Sequence, residues 1–408
     1  MKCRHCAAPL TRVLVDLGEA PPSNAYLTEA DLQRPERRFP LRVVICEQCW
    51  LVQTEDFARA DELFDGDYAY FSSFSSTWLA HAERYVAEMA ARFALDSASH
   101  VVEVAANDGY LLQYVRARGI PCTGIEPTAS TAAAARAKGI PIVSDFFGSR
   151  LARALAEKGG AADLMVANNV LAHVPDINDF VHGFSILLKP AGVATFEFPH
   201  LVPLVRDTLF DTIYHEHFSY LSLTTVERVL TAQGLAVFDV QTLPTHGGSL
   251  RVFAQRSDTG VRARTDALSA LLAQEADAGV ATAGFYSQFQ TRAERIGRDF
   301  CAFVTEARRN GKRVAAYGAA AKGNTLMNYA GVGAPLISFV ADRNPAKQGK
   351  YTPGGRIPIV DERVLRDERP DFVVILPWNL KDEIMAQLDY VREWNAQFVT
   401  ALPELTIA

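Results

Sequence analysis

Four cysteines stand as two Cys-x-x-Cys pairs, Cys3/Cys6 and Cys46/Cys49. Two residues between cysteines let one tight turn aim both sulfurs at one point, and two such turns complete the tetrahedral thiolate shell that Zn²⁺ takes. A redox dithiol needs only one pair, so the doubled spacing favours a structural metal. Between the pairs run Pro21, Pro22, Ser23 and Asn24, a turn sequence, and then a strand-like stretch at 41–45. Cys122 and Cys301 lie in apolar surroundings outside the pattern and read as core residues.

A second group that could do chemistry is Tyr214-His215-Glu216-His217-Phe218-Ser219-Tyr220. Two imidazoles, a carboxylate and two phenols within seven residues supply general bases near neutral pH together with groups to orient them. If the segment is extended, His215 and His217 share one face and Glu216 the other. His-x-His also permits a metal, but no further ligand set accompanies it; the bland alternative is hydrogen-bonded histidines bracing a loop.

Elements must hold these groups in place, and from residue 100 the chain alternates short β-rich runs with helical ones. Strands are expected at 101–104, 122–125, 141–143, 164–166 and 193–198, with helices at 78–93, 110–118, 129–138, 177–188 and 224–233. Antiparallel edge strands follow at 235–240 and 250–254. This is a parallel α/β sheet covered on both faces. After a helical span at 267–309 come further strand-like runs at 313–317, 336–340 and 372–376, a second and smaller Rossmann-like unit.

In such sheets ligands bind beyond the carboxyl ends of the strands. There stand Ala105-Ala106-Asn107-Asp108-Gly109, then Glu126, then Asp145-Phe146, then Asn168-Asn169 and His173. Glu126 can accept from both hydroxyls of a ribose, and Asp145 with Phe146 suits an adenine amino group and ring face. The first loop lacks the G-x-G-x-x-G turn that a pyrophosphate needs, which favours S-adenosylmethionine over a dinucleotide. An aromatic and hydroxyl-rich stretch containing Tyr68, Ser72 and Ser73 reads as a loop closing over a ligand, the plain alternative being a hydrophobic clasp between domains. In the second unit, the small-residue turn before Lys322 could hold a phosphate, with Asp342 as a ribose-type carboxylate and Lys347 as a further phosphate candidate. A solvated charge run serves equally well for that last lysine.

At 408 residues, 49% of them hydrophobic, the chain has ample material for two or three cores. A net charge of −6 with thinly spread Lys and Arg leaves no basic stripe for nucleic acid. No apolar run reaches membrane-spanning length and no signal-like core follows the first residues, so a cytoplasmic protein with reduced thiols is expected.

The paired cysteines, Asn107-Asp108-Gly109, the run from Asn169 through His173, Tyr214-His215-Glu216-His217 and Gly247-Gly248-Ser249-Leu250-Arg251 together resemble the three-domain sugar C-methyltransferases over essentially the whole chain. The resemblance implies a zinc domain at 1–60, a class I S-adenosylmethionine methyltransferase domain at 61–258, and a helical linker with a C-terminal Rossmann-like domain at 259–408. It implies a thymidine diphosphate deoxyketosugar bound between domains and methylated at its third carbon through an enolate. His217 is then the base and Glu216 its orienter, while Tyr214, His173 and Tyr68 donate to the enolate oxygen or replace the base. Cofactor contacts fall to Ala105, Asn107, Gly109, Glu126, Asp145, Phe146, Asn168 and Asn169; substrate contacts fall to Tyr68, Ser72, Ser73, Asn169, His173, Tyr214, Lys322 and Lys347. Ala105 departs from the family, which carries glycine there. The expected assembly is a monomer or weak homodimer. Rival readings are a nicotinamide-dependent nucleotide-sugar oxidoreductase and a non-catalytic zinc-containing assembly protein.

Overall fold

A computed structural model describes residues 1–56 and 71–408; Tyr68 lies outside the described residues. Each Cys-x-x-Cys pair sits in the same kind of turn. The amide of Cys3 bonds to the Ala8 carbonyl and that of Cys46 to the Leu51 carbonyl, while Ala7 and Trp50, each four residues after its first cysteine, take the left-handed conformation (φ +60° and +63°). Between the turns β1 (Arg12–Ala20) and β2 (Phe39–Ile45) pair antiparallel, and β3 (Val52–Thr54) follows β2. Strand β1 was not expected from sequence. Two register irregularities interrupt its alternation.

The central sheet holds β4 (Val101–Val104), β5 (Cys122–Ile125), β6 (Ile142–Val143), β7 (Ala162–Asn168) and β8 (Leu188–Pro199). After β9 (Ser219–Tyr220) come β10 (Leu235–Leu243) and β11 (Ser249–Arg256), which complete it in the order β10-β11-β8-β7-β4-β5-β6. Strands β4 to β8 run parallel and β11 is antiparallel to both neighbours, as the sequence pattern requires. All four residues of β4 are buried, so the strand reads as a continuous apolar run with one acid, Glu103, rather than an alternation. The order reverses between β4 and β7, which opens the binding crevice above their carboxyl ends.

Strand β9 belongs elsewhere. It pairs with β3, adding a fourth strand to the amino-terminal sheet in the order β1-β2-β3-β9. The stretch just after Tyr214 to His217 is thereby stitched to the cysteine module rather than to the central sheet.

The third sheet follows the helices Asp266–Ala278, Ala283–Tyr286 and Phe289–Arg309, and runs β14 (Ile359–Val360), β13 (Val340–Ala341), β12 (Val314–Tyr317), β15 (Phe372–Ile375), β16 (Gln397–Thr400), β17 (Thr406–Ile407) in that spatial order. The strand expected at 336–340 shrinks to Val340–Ala341, because Leu336 and Ile337 turn back to hydrogen-bond the Gly333 carbonyl. Helix Phe289–Arg309 buries Phe289, Ala293, Ile296, Phe300, Val304 and Ala307, one apolar stripe at helical spacing. That stripe packs in a single core with Leu14 and Val43 of the first sheet, Phe210 and Ile213, and Val314 and Val374 of the third.

One buried joint supports the whole central region. Glu275, on helix Asp266–Ala278, accepts from His200 (2.7 Å), from the amides of Leu223 and Thr224 (both 2.7 Å) and from the Thr224 hydroxyl (2.6 Å). It thus caps helix Leu223–Ala232 from a distant element. Burial raises the Glu275 carboxyl, but the bonds from His200 and Thr224 outweigh it and hold the pKa below its ordinary value. Its stabilisation is accordingly full above the ordinary carboxylate range and lost as pH falls through the folded value. Glu275→Ala should cost about 3 kcal/mol of unfolding free energy at pH 7, by urea titration, and less at acid pH.

Candidate active site

The four cysteine sulfurs lie within 4.8 Å of one another, with Cys3–Cys49 and Cys6–Cys46 each 3.5 Å apart. A tetrahedral zinc with bonds of about 2.3 Å spaces its sulfurs by about 3.8 Å, so the thiolates fit that ion. The Gln53 amide donates to Cys3 Sγ (3.3 Å), an outer partner that steadies one ligand.

The residues expected to meet the cofactor stand at and just beyond the carboxyl ends of β4, β5, β6 and β7. Gly109 has φ +76°, and a Cβ there would meet Ile140 Cδ1 at 2.3 Å, so a larger residue would be strained and would displace that side chain. Glu126 accepts from the amides of Asn107 and Thr128 (2.9 Å each), which orients its carboxylate at the strand end. Asp145 pairs with Arg150 (2.6 Å), and Phe146 is 56% exposed, an unusual state for a ring that size. Buried and without hydrogen-bond partners are both side-chain polar atoms of Asn168, the Asn169 Oδ1 and the Asp108 Oδ1. Orphaned acceptors and donors of this kind in a strand-end crevice fit a polar ligand such as the amino-acid portion of S-adenosylmethionine. Strain gathers in the same place: Ala105, Asn107 and Asn169 all take positive φ (+57°, +50°, +54°). A glycine in place of Ala105 would adopt this conformation without cost.

Ser72 and Ser73 lie over this first loop. The Ser72 amide donates to Asn107 Oδ1 (2.9 Å), and Lys138 reaches both Ser73 Oγ (2.9 Å) and Asp108 (3.3 Å).

The 214–217 run forms a turn, not a strand, since the His217 amide bonds back to the Tyr214 carbonyl (2.9 Å). The faces expected for an extended segment therefore do not hold. His215 is buried against the Phe39 ring and carbonyl. Only Tyr214 and His217 between 211 and 220 escape full burial. The His217 ring packs on Tyr214 (centroids 3.9 Å) and edge-on to His173 (4.6 Å).

Nor does Glu216 orient His217. The His217 Nδ1 lies 2.7 Å from the Thr212 carbonyl, which takes its N–H and leaves the lone pair on Nε2, an assignment made from that contact. Glu216 points away and accepts from Asn24 through both oxygens (2.8 and 2.9 Å). His173 is fixed likewise, its Nδ1 3.0 Å from the Glu216 carbonyl. Burial pushes the His173 pKa down to about 4 and holds His217 well below the usual range, so both rings are neutral at pH 7.

Facing them from the C-terminal domain, Lys322 donates to Asn379 (3.0 Å) and lies over the Trp378 ring (5.1 Å). Trp378 in turn donates to Asp211 (2.7 Å), whose other oxygen is buried and unpartnered. Lys347 is spent differently: its ammonium donates to the Ala319 carbonyl (2.7 Å), 3.9 Å from Asp342, with the Tyr26 ring beneath. Sequence reasoning missed Asn24, Asp211, Trp378 and His246. His246 has φ +57° and a buried Nδ1 without a partner, and its ring meets Trp78 edge-on at 5.7 Å. The adjacent Gly247-Gly248 pair was its only signal.

A strand-end crevice with the right orphaned atoms, neutral imidazoles fixed through Nδ1 and a separate thiolate cluster define a methyltransferase with a zinc module. The comparisons place it more narrowly. A profile described as "Putative zinc binding domain" matches residues 3–64, one described as "Methyltransferase domain" matches 78–240, and "C-methyltransferase C-terminal domain" matches 244–403. C-methyltransferase NovU of Streptomyces niveus is 34% identical over 403 residues, covering 99% of this chain and 96% of its own. The chain belongs to this C-methyltransferase family, an S-adenosylmethionine-dependent group with structural zinc. Solved structures with partial likeness include magnesium protoporphyrin IX methyltransferase from Synechocystis PCC 6803 with bound SAM (15% identity, 44% of this chain, 79% of that one, TM-score 0.34). PH0226 from Pyrococcus horikoshii OT3 is another (14% identity, 49% of this chain, 100% of that one, TM-score 0.39). At those scores they bear on neither activity nor substrate. Among the described residues, no helix is long and apolar enough to cross a membrane.

Two outcomes test this site. Ala105→Gly relieves the left-handed alanine and should raise stability by about 1 kcal/mol, read as a higher thermal midpoint, with S-adenosylmethionine affinity by calorimetry unchanged or tighter. Removing zinc with a strong chelator should release about one metal per chain by atomic emission, lower the thermal midpoint and diminish methyl transfer.

Proposed function

We propose that the protein transfers a methyl group from S-adenosylmethionine to carbon, at the third position of a thymidine diphosphate deoxyketosugar, in the making of an unusual sugar for an antibiotic or polysaccharide. The observation that carries the reading is His217: a neutral imidazole, held by Thr212 through Nδ1, with its Nε2 lone pair available beside Tyr214 and His173. A ketone acidifies the neighbouring C–H, and a base that is neutral at working pH can take that proton. His217 Nε2 receives it, and the C–H electron pair becomes the enolate. Tyr214, with Tyr68 as a further candidate, donates to the developing enolate oxygen, whereas His173, whose one N–H is given to the Glu216 carbonyl, keeps only the Nε2 lone pair and is the alternative base. S-adenosylmethionine would be held by Ala105, Asn107, Gly109, Glu126, Asp145, Phe146, Asn168 and Asn169 and would supply an electrophilic methyl on a sulfonium, which the enolate carbon would take as the sulfur–carbon bond breaks.

Ser72, Ser73 and Asn169 complete the sugar pocket, and Lys322 offers charge to the diphosphate. Lys347 is already engaged by the Ala319 carbonyl, so its part is to shape the pocket wall. The working units are residues 1–60, 61–258 and 259–408, in a cytoplasmic monomer or weak dimer that binds no nucleic acid.

Incubation with methyl-labelled cofactor and a panel of thymidine diphosphate ketosugars should give a product whose label sits on carbon by NMR. His217→Ala should lower kcat/KM by about 100-fold or more, with cofactor affinity retained. Label on oxygen or nitrogen alone, or tight NADH binding without S-adenosylmethionine binding, would overturn the reading.

A further inference from the structure

Glu216 is 2% exposed, and its carboxylate touches neither His217 nor the cofactor crevice loops. Its partner is Asn24, a residue of the amino-terminal module almost two hundred positions away: one Nδ2 lies 2.8 Å from Oε1 and 2.9 Å from Oε2. A single amide nitrogen that bridges both oxygens suits the ionised carboxylate, because a protonated oxygen would present its own O–H to that donor.

Asn24 is itself gripped. Its loop closes locally through Ala25 N to Pro22 O (3.0 Å) and Tyr26 N to Asn24 O (2.9 Å). The C-terminal domain then holds both flanks. Asn324 donates to the Ser23 carbonyl (2.7 Å), and the Tyr26 hydroxyl donates to the Ala319 carbonyl (2.6 Å). Leu27 and Tyr351 exchange backbone hydrogen bonds (3.0 and 2.8 Å). Ala319 belongs to the turn that would face a pyrophosphate in a dinucleotide-binding Rossmann domain. Here its amide is taken by Asp342 (2.7 Å) and its carbonyl by Tyr26 and Lys347. The nucleotide-type turn of the third domain is closed by its own Asp342 and Lys347 together with Tyr26 of the first domain.

We propose that Asn24 is a positioning residue for methyl transfer: it fixes the Glu216 carboxylate through both oxygens, while the Ala319 turn of the C-terminal domain fixes Asn24. The consequence for the reacting groups runs through the backbone, since the Glu216 carbonyl holds His173 Nδ1 (3.0 Å) and His173 packs on His217 (4.6 Å). The inference rests on the proposed role of the 214–217 turn. Titratable groups around Glu216 are Tyr26, Lys347 and Asp342 on the facing elements, and His173 and His217 on the near side. Burial lifts the Glu216 carboxyl to about 7 even against the downward pull of the Asn24 bonds, so loss of Asn24 leaves the upward push unopposed.

The test pairs a substrate-free readout with kinetics. In protein carrying carbon-13 at the Glu carboxyls, with the Glu216 signal assigned by its loss in Glu216→Gln, Asn24→Ala should move the Glu216 titration midpoint up by at least one pH unit. Asn24→Asp, the same size but negatively charged, should move it further. The acid limb of the kcat/KM profile should follow in both, with S-adenosylmethionine affinity unchanged within twofold. Tyr26→Phe, which loses one anchor to Ala319, should shift the limb the same way by less. In a Glu216→Gln background, Asn24→Ala should add no further shift. A folded Asn24→Ala or Asn24→Asp protein with an unmoved Glu216 titration overturns the proposal, as does a pH shift that persists without Glu216. If no ketosugar is methylated by the unaltered enzyme, the substrate reading fails while the carboxyl titration still decides the clamp.

Discussion

The backbone of the segment from Phe210 to Tyr220 is held by hydrogen bonds from all three parts of the chain, and the rest of the site depends on that. Thr54, ending β3 of the cysteine module, donates its hydroxyl to the His217 carbonyl (2.5 Å), and β3 pairs with β9 two residues on. The central domain gives the Ala172 carbonyl to the Phe218 amide (2.8 Å). Thr325 of the C-terminal domain donates to the Ile213 carbonyl (2.9 Å). A turn fixed from three directions can keep two imidazoles neutral, half-buried and each fixed through its Nδ1, which a free loop cannot do.

This arrangement gives the zinc module a mechanical meaning. Thiolate coordination stands in for the core that a module of some fifty residues lacks. In the sheet it stabilises, β3 pairs with β9, which ties the module to the turn at 214–217 just before that strand. The C-terminal domain works in a similar way. Its Rossmann-type turn is closed by Asp342, Lys347 and Tyr26, so its surface serves to grip the amino-terminal loop and to bring Lys322, Trp378 and Asn379 to the opposite wall. One apolar core running through the first sheet, the Phe210 turn, helix Phe289–Arg309 and the third sheet makes that grip rigid.

Strain and unsatisfied polarity are concentrated at the cofactor end. Ala105, Asn107 and Asn169 take left-handed conformations there, and Asn168, Asn169 and Asp108 keep buried atoms without partners. Such features cost stability, and they persist where the surrounding sheet over-determines the backbone. The buried Glu275 cap, which ties His200 after β8 to helix Leu223–Ala232, is part of that support.

Much was legible in the chain itself. Local patterns fixed β4 and β5 to the residue, because both are short apolar runs bounded by turns, and the doubled Cys-x-x-Cys spacing announced the thiolate cluster, because ligand geometry is set within each turn. The loops at the carboxyl ends of the strands, where a parallel sheet binds its ligands, also lie where the strand pattern put them. What only the tertiary structure decided were partnerships across long separations. Sequence spacing put Glu216 beside His217, yet a turn sends the carboxylate to Asn24 and gives the imidazole to the Thr212 carbonyl. Lys347 read as a phosphate ligand, yet the turn it fills belongs to its own domain. Strand β9, two residues long, carries no signal of the sheet it joins. Periodicity records which face of an element is buried; it does not record which distant backbone atom will meet a side chain, because that is settled by the packing of three cores at once.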